Sequence, residues 1–308
     1  SSSEAQVCIR YCSSKTQEPI RRLACPFGLE ITGSNKLVSN VKRLQIGALF
    51  GVFASVSSSL FAPAATAAEL RITVESLAPA NGNFITPLWF GVHDGGFDLF
   101  DVGAPASMAL ERIAEDGTID PLNQAFDASG SGAAQGVVFG PTIPPIGPSE
   151  FGQTRFSLSA TPSSSLYLSY AAMVLPSNDA FIGNENPFQF EIFDANGDFT
   201  GTDFIVPGSL VWDAGTEVND EGSSTTAFFG QTVPDTGAIE GGNVGLHPGF
   251  IPGGPILSSA SFLGADFTQP GYQIARIQVE EVPEPVSTLG VLISGGLLWG
   301  RRRLKRKA

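Results

Sequence analysis

From Leu70 to Val279 the chain breaks into short runs rich in apolar residues with turn signals between them, and in the first, Leu70 to Leu77, apolar and polar residues alternate. A period of two sends successive side chains to opposite faces of an extended strand, so Leu70 to Leu77 reads as a half-buried first strand. The runs are Leu70 to Leu77, Thr86 to His93, Thr154 to Ala160, Leu166 to Val174, Phe188 to Phe193, Phe199 to Val206 and Tyr272 to Val279. Gly208 to Trp212 adds a short approach to Asp213, and Trp89 and Phe90 are the large side chains available to a core. Short strands with turn signals between them predict an all-β fold, an antiparallel β-sandwich.

Other segments interrupt this pattern. Ser107 can cap a helix over Met108 to Asp116 with Gly117 as its stop, and Asp120-Pro121 can open a second helix to about Asp127. These two short helices are expected as an excursion above the sandwich, outside its core. The proline-rich connector from Thr142 to Ser149 is expected to bury nothing. Gly230 to Gly254 reads as a long loop that covers one end of the domain or forms a contact surface. The acidic stretch from Asp194 to Phe199 is no EF-hand, because Phe199 stands where glycine is required and Ile205 where the bidentate Glu is required. Asn196-Gly197 between apolar runs predicts a hairpin turn instead.

Charge and cysteine are sharply segregated. Between Ala68 and Val282 there are 26 acidic residues against four arginines, with no Lys and no Cys, a net charge of −22. Such a surface repels nucleic acid and anionic membranes and attracts divalent cations. A span of this length buries enough surface to fold without disulfides. The three cysteines, Cys8, Cys12 and Cys25, all precede Val41 and have no nearby His, too few ligands for structural zinc.

The two ends read as addresses. Residues 1–40 are expected to be a disordered upstream extension, with translation starting near Val41. Lys42 and Arg43, the apolar run Ile46 to Val56 and the small residues Ala65-Thr-Ala67 form a secretory signal over 41–67, cleaved near Ala68. The domain proper then covers 68–281. In the tail, 282–308, Val282-Pro-Glu-Pro285 precedes an apolar stretch from Val286 to Gly300, a short transmembrane helix, and a basic end from Arg301 to Lys307 that stays cytoplasmic.

Two acid-bearing peptides carry the chemistry, Pro176 to Gly183 (PSNDAFIG) and Val211 to Glu217 (VWDAGTE). Asp179, Asp213 and Glu217 are three hard oxygen donors, and the small Ala214-Gly215 step lets the chain curl so that carbonyls join them. At about 5 Å an ionised pair repels by roughly 3 kcal/mol at an effective dielectric near 20, so a convergent set calls for a cation or a proton. Spacing alone does not separate this calcium site from acids in solvated loops.

These peptides, with the stretch from Glu75 to Gly103, resemble the spondin domain of extracellular-matrix proteins and of bacterial secreted proteins, over roughly Glu69 to Glu280. The resemblance implies an antiparallel sandwich with calcium at one end, held by Asp179, Asp213 and Glu217; animal members usually carry Asp at the last of these positions. The tail resembles the PEP-CTERM sorting signal of Gram-negative bacteria. That implies an exosortase-type protease as partner, transient anchoring in the inner membrane, and release to the cell surface or exterior. The function implied is a non-catalytic, calcium-binding module acting in extracellular matrix, exopolysaccharide or surface adhesion. The alternative is a secreted carboxylate-dependent hydrolase of extracellular polysaccharide, since two acids suffice for that chemistry. No Gly-x-Ser-x-Gly, His-Glu-x-x-His or phosphate-loop motif is present. His93 with Asp94 reads either as an acid–base pair or as a strand-end histidine bonded to a loop.

Overall fold

The computed structural model describes residues 68–141, 145–159 and 162–283. The expected upstream extension, the export signal and the tail beyond Pro283 lie outside the described residues. Among the described residues no helix is long and apolar enough to cross a membrane.

The described chain is mostly β, in two antiparallel sheets with few helices. The smaller sheet has the order β5 (Phe151–Ser157), β1 (Glu69–Ser76), β12 (Gln273–Glu281), β9 (Thr202–Pro207). The larger runs β11 (Gly245–Leu246), β10 (Trp212–Asp213), β7 (Ala180–Gly183), β6 (Leu166–Leu175), β3 (Leu88–His93), β4 (Gly132–Val138). Two short strands, β2 (Phe84–Ile85) and β8 (Glu191–Phe193), also pair with β6.

Alternation does the work expected of it in the smaller sheet. Leu70, Ile72 and Val74 of β1 and Ile277 and Val279 of β12 share one buried cluster with Phe90, Val92, Leu168 and Tyr170 of the larger sheet. Strands β3, β6 and β7 are instead buried on both faces. The reason is a correction to the helical excursion. Helices α1 (Met108–Asp116) and α2 (Asp120–Ser129) are integral: they roof the outer face of the larger sheet and close a second core there. Leu110, Ile113, Ala114, Leu122 and Phe126 pack on Trp89, Phe181 and Trp212. Consecutive Trp89 and Phe90 therefore serve different cores.

Helix α1 has the expected ends. Leu110 N–H donates to Ser107 Oγ at 3.2 Å, and Gly117 closes the helix in the left-handed region at φ 64°. Two further expectations change. Within the connector, Ile146 is fully buried and bridges Ile85 backbone to backbone, so that segment does contribute to the core. The turn at Asp194 to Asp198 forms, with Asp194 Oδ1 accepting from the Asn196 and Asp198 N–H groups, but β8 joins the larger sheet and β9 the smaller. The connection therefore carries the chain from one sheet to the other.

Candidate functional site

Strands β7 and β10 pair antiparallel with Asp213 opposite Ala180, which brings Asp179 and Asp213 to the same end of the larger sheet. Asp179 is fully buried. Its Oδ2 accepts from Thr216 N–H at 2.8 Å, Thr216 Oγ1 at 3.1 Å and Glu217 N–H at 3.1 Å, holding the chain after β10 in a tight curl. Gly215 makes that curl with φ 68°, and its Cα is so close to the Asn243 backbone that a Cβ would lie 2.8 Å from Asn243 N. Asp179 Oδ1 has no hydrogen-bond partner among the described residues. Burial, reinforced by the Asp213 charge, pushes the Asp179 carboxyl up to about 7.

Asp213 is committed to its own loop. Its Oδ1 accepts from Gly215 N–H at 2.7 Å and its Oδ2 from Asn219 Nδ2 at 2.7 Å. Asn219 Oδ1 meets His247 Nε2 at 3.1 Å, while His247 Nδ1 accepts from Gly249 N–H. An Nδ1 that accepts leaves the proton on Nε2, so the neutral ring donates to Asn219. Burial holds His247 down to about 4. His93 follows the same logic: fully buried, it accepts from Gly95 N–H, meets Ser169 Oγ at 2.9 Å and is lowered by burial to about 4. Its neighbour Asp94 accepts from Gly96 N–H, so His93 lies in the strand-end arrangement and makes no hydrogen bond to Asp94.

Glu217 contacts Asp179 through its backbone, but its carboxylate turns elsewhere. The residue is 3% exposed, its Oε1 accepts from Gly237 N–H at 2.7 Å, and its Oε2 has no partner among the described residues. Its pKa is raised, chiefly by burial. The oxygens of Glu217 meet those of Glu115, from the last turn of α1, and Asp235, from the long loop, with one ligand atom of each within 4.8 Å of the others. Thus the structure places Asp179 and Asp213 side by side, while Glu217 converges with two acids that spacing did not single out.

The surroundings of this cluster are electrostatically unusual. Glu115 and Asp116 occupy the C-terminal turn of α1, where the helix dipole already disfavours negative charge and no basic residue lies in the turn. Glu115 is buried, and burial pushes it up to about 7 against the pull of the Thr216 hydroxyl. Asp116 is raised by burial as well, and its Oδ1 has no partner among the described residues. One cation answers them. Arg112 lies 3.2 Å from Glu115 Oε2 and 3.1 Å from Asp235 Oδ2, and it contacts Asp116. Segment 215–218 is laced to the loop by Val218 N–H donating to Ala238 O, Glu240 N–H to Thr216 O, and Gly242 N–H to Gly215 O.

Carboxylates elsewhere at this end act as backbone clamps. Buried Glu221 accepts from the Ile251 and Ile256 N–H groups, fixing the loop and the start of a short helix, α3 (Pro255–Ser258). Apart from these acids, a cleft of about 430 Å3 opens between the 96–107 segment and the two helices, lined in part by Asp98, Asp101 and Leu122. None of Glu115, Asp179, Asp213 or Glu217 lines it. No protein-family model and no curated protein matches this chain.

Proposed function

We propose that the chain is an exported, non-catalytic, spondin-like β-sandwich module in which calcium orders the loops at one end for contact with a matrix or polysaccharide component. One observation supports the ion above all. Glu217 is buried, has one oxygen bonded and the other without a partner among the described residues, and lies within ligand distance of two further carboxylates. A buried ionised carboxylate with an unpaired oxygen is costly, and a hard divalent cation satisfies it. Glu115, Glu217 and Asp235 are the donors in this reading. Asp179 adjoins them through the bond its Oδ2 accepts from the Glu217 N–H, its buried Oδ1 has no partner among the described residues, and Asp213 shapes the loop and adds negative field. Calcium suits the set better than magnesium because it accepts irregular oxygen geometry and incomplete dehydration is not required of it.

The addresses complete the proposal. The signal at 41–67 would deliver the domain across the inner membrane, and the PEP-CTERM-like tail would be cut by an exosortase-type protease after transient anchoring through Val286 to Gly300. Thermal melting of the protein across a calcium titration tests the core of the reading. The expected result is a melting temperature that climbs with calcium in the millimolar range and returns in excess chelator. A melting temperature unmoved by calcium would remove the ion from the proposal.

A further inference from the structure

We propose that Arg112 is a built-in competitor for the cation at Glu115, Glu217 and Asp235, and that it sets how tightly the site takes calcium. The inference rests on the cation reading above. Arg112 projects from α1 one turn before Glu115 and Asp116. Its Nη2 is 3.2 Å from Glu115 Oε2 and its Nη1 is 3.1 Å from Asp235 Oδ2. A single planar guanidinium thus bridges two of the three carboxylates of the cluster. The third, Glu217, keeps a buried oxygen that no donor among the described residues reaches.

That division has a chemical meaning. Arginine is a fixed single positive charge whose fork of donors grips two carboxylates at once. It neutralises part of the cluster and leaves the Glu217 oxygen unmet. A divalent ion supplies both the missing partner and the second charge. To do so it must share Glu115 and Asp235 with the guanidinium or take them from it. Asp116 contacts Arg112 but is not one of the three clustered acids, so the displaced guanidinium keeps a partner. Asp235 lies on an exposed loop and its side chain is 67% accessible, which lets it change partners without disturbing either core.

The test is calorimetric titration of calcium chloride into the full chain, comparing wild type with Arg112→Gln and Arg112→Lys. Removing the competing charge is expected to tighten calcium binding about tenfold in Arg112→Gln, since one like charge near the ion is lost. Arg112→Lys keeps a charge but not the two-armed grip, and is expected to shift affinity in the same direction by less. Calcium bound by Arg112→Gln and not by wild type would be the strong form of the same result. Equal or weaker binding by Arg112→Gln, with wild type binding normally, overturns the competitor role and leaves the cation site standing. If Arg112→Gln does not fold, Arg112→Lys decides, and unchanged or weaker binding by it overturns the role equally. No calcium binding by any of the three chains overturns the cation site and this inference together.

Discussion

Glu217→Gln separates a cation ligand from an ordinary buried acid by the sign of its effect. The clustered ligand atoms of Glu115, Glu217 and Asp235 lie within 4.8 Å of one another. Two full charges at that distance repel by roughly 3 kcal/mol at an effective dielectric near 20. Arg112 offsets part of this, and burial keeps Glu115 partly protonated at neutral pH, so the relief on neutralising Glu217 is on the order of 1 kcal/mol. The amide retains an acceptor for the Gly237 N–H and gains a donor for its acidic neighbours. For a domain of about this size 1 kcal/mol moves the melting temperature by roughly 2–4 °C. In chelator, Glu217→Gln should therefore melt about 2–4 °C above wild type. Calcium at about a hundred times its Kd stabilises wild type by about 2.7 kcal/mol, roughly 5–10 °C, and should leave the variant unmoved. Differential scanning calorimetry in chelator and then in calcium reads both halves. A variant that melts below wild type in chelator, or that keeps the calcium response, refutes the reasoning.

Three further outcomes are expected. Glu115 and Asp179 titrate near 7 in the native chain and near 4 when unfolded, so the native state holds more protons between those values and their contribution to stability falls as pH rises. His93 and His247, lowered to about 4, act in the opposite sense up to their unfolded value near 6.5. Calcium-free melting temperature should thus change little between about pH 4.5 and 6.5 and decline from there to about 7.5, the Glu115 share of that decline being lost in saturating calcium. Continuous climb through neutrality in chelator would contradict it. Gly237→Ala would set a Cβ 2.2 Å from the Glu217 carboxyl carbon, so it should cost about 1–3 kcal/mol in a denaturant titration and abolish the calcium shift. Glu221→Gln, which weakens two clamps on backbone N–H groups, should cost a similar 1–3 kcal/mol yet leave the calcium shift intact.

What the sequence disclosed and what it hid divide along physical lines. Helix α1 was legible to the residue because Ser107 and Gly117 are local signals, each acting within a few positions. The strands of the smaller sheet were legible because only one of their faces is buried, and alternation reports that. Strand β6, buried on both faces, gives a continuous apolar run that does not say what covers its second side. For that reason the helical roof read as an excursion. Alternation is equally silent on partners, so Phe188 to Phe193 and Phe199 to Val206 looked like one hairpin although they enter different sheets. At the acidic end, Asp179 and Asp213 stood out beside aromatic and glycine neighbours. Glu115 did not, because no spacing rule links a helical acid to one a hundred positions away. Its one local signal was the Glu115-Asp116 pair in a last helical turn, where the dipole works against both. Asp235 offered none, lying in a glycine- and proline-rich loop.

Phe181 and Trp212 belong to the two paired strands that flank Asp179 and Asp213, and both pack beneath α1, the helix that carries Glu115. The gap between Glu115 and Glu217 is therefore gauged by oily side chains, not by the acids themselves. A trimmed ring at Phe181, several bonds from any oxygen, would let the helix settle and re-space charges it never touches.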